Sequence, residues 1–251
     1  MKPMRLPPLL SDDPEAPFPP ADSALREPDG LLAIGGDLAP ARLLNAYLHG
    51  IFPWYSEGQP ILWWSPDPRM LFRTDGVRLS SRFRRGLRRS PWTLRADTAF
   101  AAVIRACAEA PRHGGQHGTW ITAEMEAAYL RLHRLGHAHS VEVFDGERLV
   151  GGIYGVAVGR MFFGESMFSG ESGGSKVALA GLARYLRSRG WPLIDAQVEN
   201  AHLVRLGALM LPRTLFLTEV AALTAQPGPA GSWAGAFGCQ AASGLAAASP
   251  A

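Results

Sequence analysis

The sequence predicts an α+β fold in which a mixed β-sheet is flanked by helices, preceded by a small N-terminal domain. Three observations carry that reading. Ser140–Phe144, Leu149–Val158 and Met161–Phe163 have strand-type patterning and are separated only by the turns Asp145-Gly146 and Gly159-Arg160, which gives a three-strand meander. Lys176 to Arg187 places Val177, Leu179, Ala180, Leu182, Ala183 and Leu186 at helical spacing. Gly190 and Pro192 stop that helix, and Leu193-Ile194 opens another short strand. Helical spacing also appears ahead of the meander, in Ala99–Ala110 and Ala123–Leu135, so helices are available for both faces of one sheet.

Taken in order, Met1 to Phe18 is proline-rich and reads as poorly ordered or wrapped on the surface. Gly30, Gly35 and Gly36 mark turns around a short apolar piece. Pro40 and Gly50 bracket a helix carrying Leu43, Leu44, Tyr47 and Leu48. The next stretch, I-F-P-W-Y-S-E-G-Q-P-I-L-W-W-S-P-D-P-R, is aromatic and stiffened by four prolines. These features divide the chain into a small N-terminal domain with its proline-rich lead (residues 1–60), a larger domain (61–225) and a C-terminal stretch (226–251). The last is rich in Gly, Ala, Ser and Pro and reads as a flexible tail apart from Trp233 and Phe237. No internal repeat is present.

At 251 residues and 47% apolar content the chain can bury a sizeable core. Cys107 and Cys239 lie far apart and form neither a disulfide framework nor a zinc pattern, which points to a reducing compartment. The N-terminus lacks the apolar core of a signal peptide, and no apolar run is long enough to cross a bilayer, so a cytoplasmic protein with no membrane partner is expected. The formal charge is +3, with Lys2 and Lys176 the only lysines. Ser80 to Arg89 holds Arg82, Arg84, Arg85, Arg88 and Arg89 and no acid, which fits either a solvated helix face or a patch facing phosphates.

The chemistry-bearing residues cluster between Phe163 and Asn200. Side chains alternate along a strand, so Asp195 and Gln197 in L-I-D-A-Q share a face: a carboxylate and a carboxamide at the end of a core strand. The strand at Met161–Phe163 delivers Glu165 and Ser166 to an edge, and Met167 and Phe168 suit either an apolar pocket or ordinary core. The loop Gly170 to Lys176 superficially resembles a phosphate loop, but Ser175 replaces the glycine needed before the lysine. A helix N-terminus beside a glycine loop can still hold one nucleic-acid phosphate, a more modest role that the sequence favours over a true phosphate loop. His133, His137 and His139 have no carboxylate or cysteine to complete a metal set and read as structural. Trp54, Trp63, Trp64 and Trp120 sit beside Gly, Pro or Ser; each alone suits core, while four near a basic run suit stacking on bases.

Read together, G-L-L-A-I-G-G-D-L (Gly30–Leu38), G-I-F-P-W-Y (Gly50–Tyr55), I-L-W-W-S-P-D-P-R (Ile61–Arg69), G-T-W-I-T (Gly118–Thr122), G-H-A-H-S-V-E-V (Gly136–Val143), G-G-I-Y-G-V (Gly151–Val156), G-E-S-M-F-S (Gly164–Ser169), L-I-D-A-Q (Leu193–Gln197) and H-L-V-R-L-G-A resemble leucyl/phenylalanyl-tRNA–protein transferases. The resemblance runs from about Ser23 to Leu217 with the motifs in order. It implies transfer of Leu or Phe, with Met as a further donor residue, from aminoacyl-tRNA to acceptor proteins beginning with Arg or Lys, which marks them for degradation by the N-degron pathway. It also implies a GNAT-like acyltransferase domain that uses no cofactor or metal; a monomer is expected.

The same resemblance suggests roles for the residues. Asp195 and Gln197 are the catalytic pair, with Gln197 accepting a hydrogen bond from the attacking amine and Asp195 holding Gln197 and adding negative potential. Glu165 would orient the acceptor or the terminal adenosine; Ser166, Met167, Phe168 and Ser169 belong to the substrate pocket. Trp54, Trp63, Trp64 and Trp120 would bind substrate, Trp54 and Trp120 around the terminal adenosine. Arg82, Arg84, Arg85, Arg88 and Arg89 would grip the phosphates of the acceptor stem. Gly170 and Gly174 stand where the family carries Arg and Asn, which implies a looser loop. The competing readings are an acyl-CoA-dependent N-acyltransferase, whose pyrophosphate loop is missing before Lys176, and a non-catalytic tRNA-binding module, which leaves Asp195 and Gln197 without a task.

Overall fold

The computed structural model describes residues 6–110, 120–229 and 231–247. In chain order the elements are β1 (Leu9–Leu10), β2 (Leu31–Gly35), α1 (Pro40–Leu48), β3 (Phe52–Pro53), β4 (Leu62–Trp64), β5 (Arg69–Arg73), α2 (Ser81–Leu87), β6 (Thr93–Ala96), α3 (Phe100–Glu109) and α4 (Ala123–Arg134). They continue with β7 (Ala138–Asp145), β8 (Arg148–Val158), β9 (Met161–Ser169), α5 (Gly174–Ser188), β10 (Leu193–Gln197), α6 (Ala201–Arg205), β11 (Leu209–Leu211), α7 (Arg213–Thr224), α8 (Ala234–Phe237) and β12 (Gln240–Ala241). No helix among the described residues is long and apolar enough to cross a membrane.

The strands form two sheets. The smaller has the order β1-β2-β4-β3, and the larger β11-β5-β10-β9-β8-β7-β6-β12. Within the larger sheet β10 and β9 run parallel and the other neighbours antiparallel, so it is mixed, as the strand–helix–strand pattern requires. The boundary expected at residue 60 falls one element early. Leu62–Trp64 is an inner strand of the small sheet, and the chain enters the large sheet at Arg69.

Each face of the large sheet has its own core. One is filled by α1, α3, α4, α7 and the small sheet, through residues such as Tyr47, Val103, Tyr129, Phe163 and Phe216. The other is filled by α5 and the C-terminal segment, through Val177, Leu182, Leu186, Trp233 and Phe237. The alternation along β5 serves both: Leu71 belongs to the first core, Met70 and Phe72 to the second. The first core runs through both sheets, so the N-terminal elements are welded to the larger part.

Two peripheral expectations change. The C-terminal stretch is packed over much of its length. β12 pairs with β6, and Trp233, Ala242 and Leu245 are buried. Asp97 fixes it, accepting from the backbone N–H of Trp233 at 2.7 Å, while His139 stacks on the Trp233 ring at 3.9 Å. At the other end, β1 pairs with β2 and Phe18 meets Trp63 edge-on, which ties down the described part of the lead.

The small-residue loop before α5 is also tighter than its composition suggests. Gly174 lies against β8, and a Cβ there would sit 2.3 Å from the Val150 carbonyl oxygen. Only glycine allows α5 to start this close to the sheet.

Candidate functional site

The site lies where the two parallel strands part. β10 and β9 are paired through Ile194 with Phe162 and Asp195 with Phe163 and then diverge. At that point each strand carries one extra residue. On β9 the register against β8 steps from Tyr154↔Ser166 to Gly155↔Gly164, leaving Glu165 as the extra residue. On β10 the register against β5 steps from Asp195↔Leu71 to Gln197↔Met70, leaving Ala196 extra. Bulges of this kind bend the strand and re-aim its side chains. Beyond the bulge on β9, Met167 packs toward the second core while Phe168 packs toward the first. Gln197 follows its bulge in the left-handed conformation, φ +63°. The strand at Met161–Phe163 therefore does not end at an edge; β9 runs inside the sheet to Ser169, and the opening is the gap between strands.

Asp195 is 1% exposed and held by Arg69. Nε and Nη2 of the guanidinium donate to Oδ1 and Oδ2 at 2.8 and 2.7 Å. The guanidinium lies between the rings of Phe52 and Phe216, each centroid 4.6 Å away, and Nη1 donates to the Gly50 carbonyl at 3.1 Å. A fork-shaped cation suits this bidentate, stacked setting in a way a lysine would not. Oδ1 of Asp195 also accepts the backbone N–H of Gln197 at 3.0 Å. Asp195 thus holds Gln197 by its backbone across the bulge, and Arg69 already meets its charge.

The Gln197 side chain donates from Nε2 to Oε1 of Glu165 at 2.8 Å, which turns its carbonyl end the other way. Glu165 also accepts from the hydroxyls of Tyr47 (Oε1, 2.8 Å) and Tyr129 (Oε2, 2.9 Å), and those hydroxyls are 2.5 Å from one another. Burial raises the Glu165 carboxyl to about 7; the two tyrosine hydroxyls pull it down, nearby Asp195 pushes it up and Arg69 pulls it down. Burial and the neighbouring Glu165 in turn hold both tyrosines well above their usual range, so they remain donors.

These groups border a cavity of about 680 Å³. Trp54, Trp120, Glu165, Ser166, Met167, Phe168, Ser169, Asp195 and Gln197 all line it, together with Lys176 and His202. Trp54 is exposed and its carbonyl accepts from Nε1 of Trp64 at 2.7 Å, so Trp64 props Trp54 from the small sheet. Trp63 is different. It is fully buried, with Nε1 bonded to the Gly35 carbonyl, and belongs to the core rather than to a substrate surface. The Ser169 hydroxyl accepts the N–H of Ser175 at 2.9 Å and secures the first turn of α5.

Arg82, Arg84, Arg85, Arg88 and Arg89 lie on and just after α2, which Ser80 caps, and no carboxylate pairs with them among the described residues. α2 sits next to the cavity, since the Phe83 ring lies against Gly173 and Lys176 lies over it at 5.6 Å. The three histidines lie apart from the cavity lining. His133 bonds the Ala138 carbonyl and stacks on Phe100, and His139 bonds Asp97. Sequence reasoning missed Arg69, Tyr47 and Tyr129. The two tyrosines occupy core positions of amphipathic helices, and their burial is ordinary until Glu165 is placed beside them. Arg69 did carry a signal, as a lone cation opening the apolar run Met70-Leu71-Phe72.

Comparison with known proteins is consistent along the chain. Residues 71–221 match the family model described as leucyl/phenylalanyl-tRNA protein transferase, and residues 36–67 match the model of the N-terminal domain of that transferase. Similar curated proteins include a leucyl/phenylalanyl-tRNA–protein transferase of Xanthomonas euvesicatoria pv. vesicatoria, 73% identical over 98% of both chains. A namesake from Xylella fastidiosa is 65% identical over 92% of this chain and 94% of its own. Among solved structures, a functionally unknown conserved protein from Staphylococcus epidermidis aligns with 72% of this chain and 68% of its own at TM-score 0.40 and 10% identity.

Proposed function

This chain belongs to the leucyl/phenylalanyl-tRNA–protein transferase family, and from that premise we propose how its cavity carries out the transfer. The reaction moves an aminoacyl group from tRNA to the N-terminus of a protein. The donor is an ester on the terminal ribose and the product an amide, so the chemistry is downhill. The acceptor α-amine has a pKa near 7.7–8.0, which leaves a useful neutral fraction at neutral pH. Holding the two substrates in attack geometry therefore supplies much of the rate.

The observation that carries this reading is the gap between β9 and β10, with Asp195, Gln197 and Glu165 at its rim. Arg69 and Asp195 fix the backbone of Gln197, and Glu165 fixes its amide, so the carbonyl end of Gln197 is a preset acceptor for the attacking N–H. Trp54, backed by Trp64, and Trp120 enclose the terminal adenosine. Met167 and Phe168 receive the leucyl or phenylalanyl side chain, the flexible thioether adapting to both. Ser166 borders the same pocket, and Ser169 holds the start of α5. The arginines of α2 take the acceptor-stem phosphates, contacts that position the donor without reading its sequence. The parting of two parallel strands around an acyl-transfer site supports a GNAT-like reading of the larger sheet. Acceptors beginning with Arg or Lys, a cytoplasmic monomer and a role in the N-degron pathway complete the proposal.

Radiolabelled leucyl-tRNA, purified protein and a model acceptor beginning with Arg test it. Label enters the acceptor, and transfer fails when the acceptor begins with Gly. Gln197→Ala, which leaves the Arg69–Asp195 pair intact, binds tRNA normally and loses transfer. Binding without transfer by the wild-type protein would reduce the chain to a tRNA-binding module.

A further inference from the structure

Aminolysis of the ester has one proton to move. Nitrogen bonds to the carbonyl carbon and the bond from that carbon to the ribose oxygen breaks. Nitrogen must then lose a proton and the ribose oxygen must gain one. A carboxamide is too weak a base to carry it, which excludes Gln197. Among the described residues two carboxylates line the cavity, Asp195 and Glu165. Both oxygens of Asp195 are held by the charged fork of Arg69, whereas the donors to Glu165 are neutral, two phenol hydroxyls and a carboxamide.

The surroundings of Glu165 suit a group that changes its protonation. Three oxygen–oxygen contacts close a triangle: Tyr47 to Oε1 at 2.8 Å, Tyr129 to Oε2 at 2.9 Å, and hydroxyl to hydroxyl at 2.5 Å. Two tyrosine protons can fill only two of the three. With Glu165 ionised both point at the carboxylate, and the edge between hydroxyls is empty. A proton taken up by Glu165 fills the third edge, so that Glu165 donates to Tyr47, Tyr47 to Tyr129 and Tyr129 to Glu165. The bond from Gln197 survives in both states, because Oε1 has a second lone pair to offer. The 2.5 Å separation is that of a filled edge; with Glu165 ionised the two hydroxyl oxygens draw slightly apart while each still donates to the carboxylate, so both protonation states keep their hydrogen bonds.

We propose that Glu165 is the proton carrier of the transfer, taking a proton from the attacking α-amine and returning it to the ribose oxygen as the ester bond breaks. Tyr47 and Tyr129 are positioning residues that keep both of its states hydrogen-bonded. The assignment rests on the transferase reading, and Glu165 ends the cycle as it began. Its titration near neutrality supports the role. The charged and titratable groups facing it are Tyr47 on α1, Tyr129 on α4, Asp195 on β10 and Arg69 on β5, with Tyr154 on β8 against the Tyr129 ring.

The test is the pH dependence of kcat/KM for the acceptor protein in the wild type, Glu165→Gln and Tyr129→Phe. Both the amine and Glu165 must be unprotonated, so the logarithmic profile of the wild type rises with a slope of about two below neutrality. Glu165→Gln keeps a hydrogen-bonding side chain of the same length. It lowers kcat about 100-fold or more, leaves the KM for aminoacyl-tRNA in place and reduces the slope to about one. Tyr129→Phe removes a donor to the ionised carboxylate and moves the corresponding limb to higher pH. A slope near one in the wild type, or an unchanged slope of two in Glu165→Gln, would overturn the assignment while leaving the transferase reading intact. Absence of transfer by the wild type at every pH would overturn both.

Discussion

Arg69 and Asp195 meet through two parallel hydrogen bonds of 2.8 and 2.7 Å, on neighbouring antiparallel strands, with both side chains essentially sealed from water. The pair fixes the last backbone turn of β10, and so the place from which Gln197 reaches the cavity.

Removing one partner of this pair is expected to cost more than its net contribution, because the other charge stays buried. Arg69→Ala should lower unfolding free energy by about 3–5 kcal/mol. Arg69→Lys should be milder for stability yet still slow transfer, since an ammonium cannot make both bonds in the same plane. Urea unfolding read beside single-turnover transfer checks this. A fully active, fully stable Arg69→Ala protein would contradict it.

The four tryptophans should separate by task. Trp54→Ala removes an exposed platform and is expected to weaken aminoacyl-tRNA binding by about 1–3 kcal/mol, with the melting temperature unchanged. Trp63→Ala opens the first core and should cost about 3–5 kcal/mol of stability. Thermal melts and KM values for both variants decide the matter. Equal melting temperatures would put Trp63 in the wrong class.

Glu142 makes a prediction about pH and stability. Burial raises its carboxyl to about 7 from 4.5, while Ser140 and Thr98 pull it down by hydrogen bonding. Between those two values the folded protein keeps a proton that the unfolded chain releases. Stability from this group therefore falls as pH rises across the window, by on the order of 3 kcal/mol. Glu165 shares the window. Glu142→Gln should remove about half of the fall between pH 5 and 8, and should be more stable than wild type at the upper end. Denaturant midpoints across that range test it; an unchanged slope would rule out Glu142 as its source.

The C-terminal segment should be as resistant to protease as the sheet it covers. Asp97, at φ +56°, accepts from Trp233, His139 and Ser140. Its carboxyl is pushed up by burial but lowered overall by His139 and the backbone donors, so its contribution is present above the unfolded carboxyl's pKa and is lost in acid. Asp97→Ala leaves those donors unmatched, at about 1–3 kcal/mol each where they stay buried. Limited proteolysis of the variant is expected to nick first near residues 226–232. Equal nicking in wild type would mean that the segment is not anchored.

Much of the fold was legible because periodicity reports burial. The helix at 40–48, the meander from β7 to β9 and the helix between β9 and β10 all follow from apolar spacing and from glycine or proline stops. Asp195, Gln197 and Glu165 were legible as polar residues interrupting apolar strands. Trp63 was misplaced because a neighbouring Ser-Pro suggested a loop, whereas its strand is short and its indole nitrogen is met by a distant carbonyl. Arg69, Tyr47 and Tyr129 stayed hidden because their partners lie 126, 118 and 36 residues away in sequence. The bulges were equally invisible, since a register step depends on which strands pair.

Those two register steps bear on how the family can change. Ala196 itself has no polar group to contribute, yet losing it would put β10 back in step with β5 and rotate everything after it to the opposite face. The same arithmetic applies to the single extra residue of β9. Substitutions can be absorbed one at a time along these strands, but a one-codon deletion in either would scramble the site while leaving nearly every motif readable. Relatives in which the count between Phe162 and Ser169, or between Ile194 and Gln197, has changed should have lost the chemistry, however similar their composition.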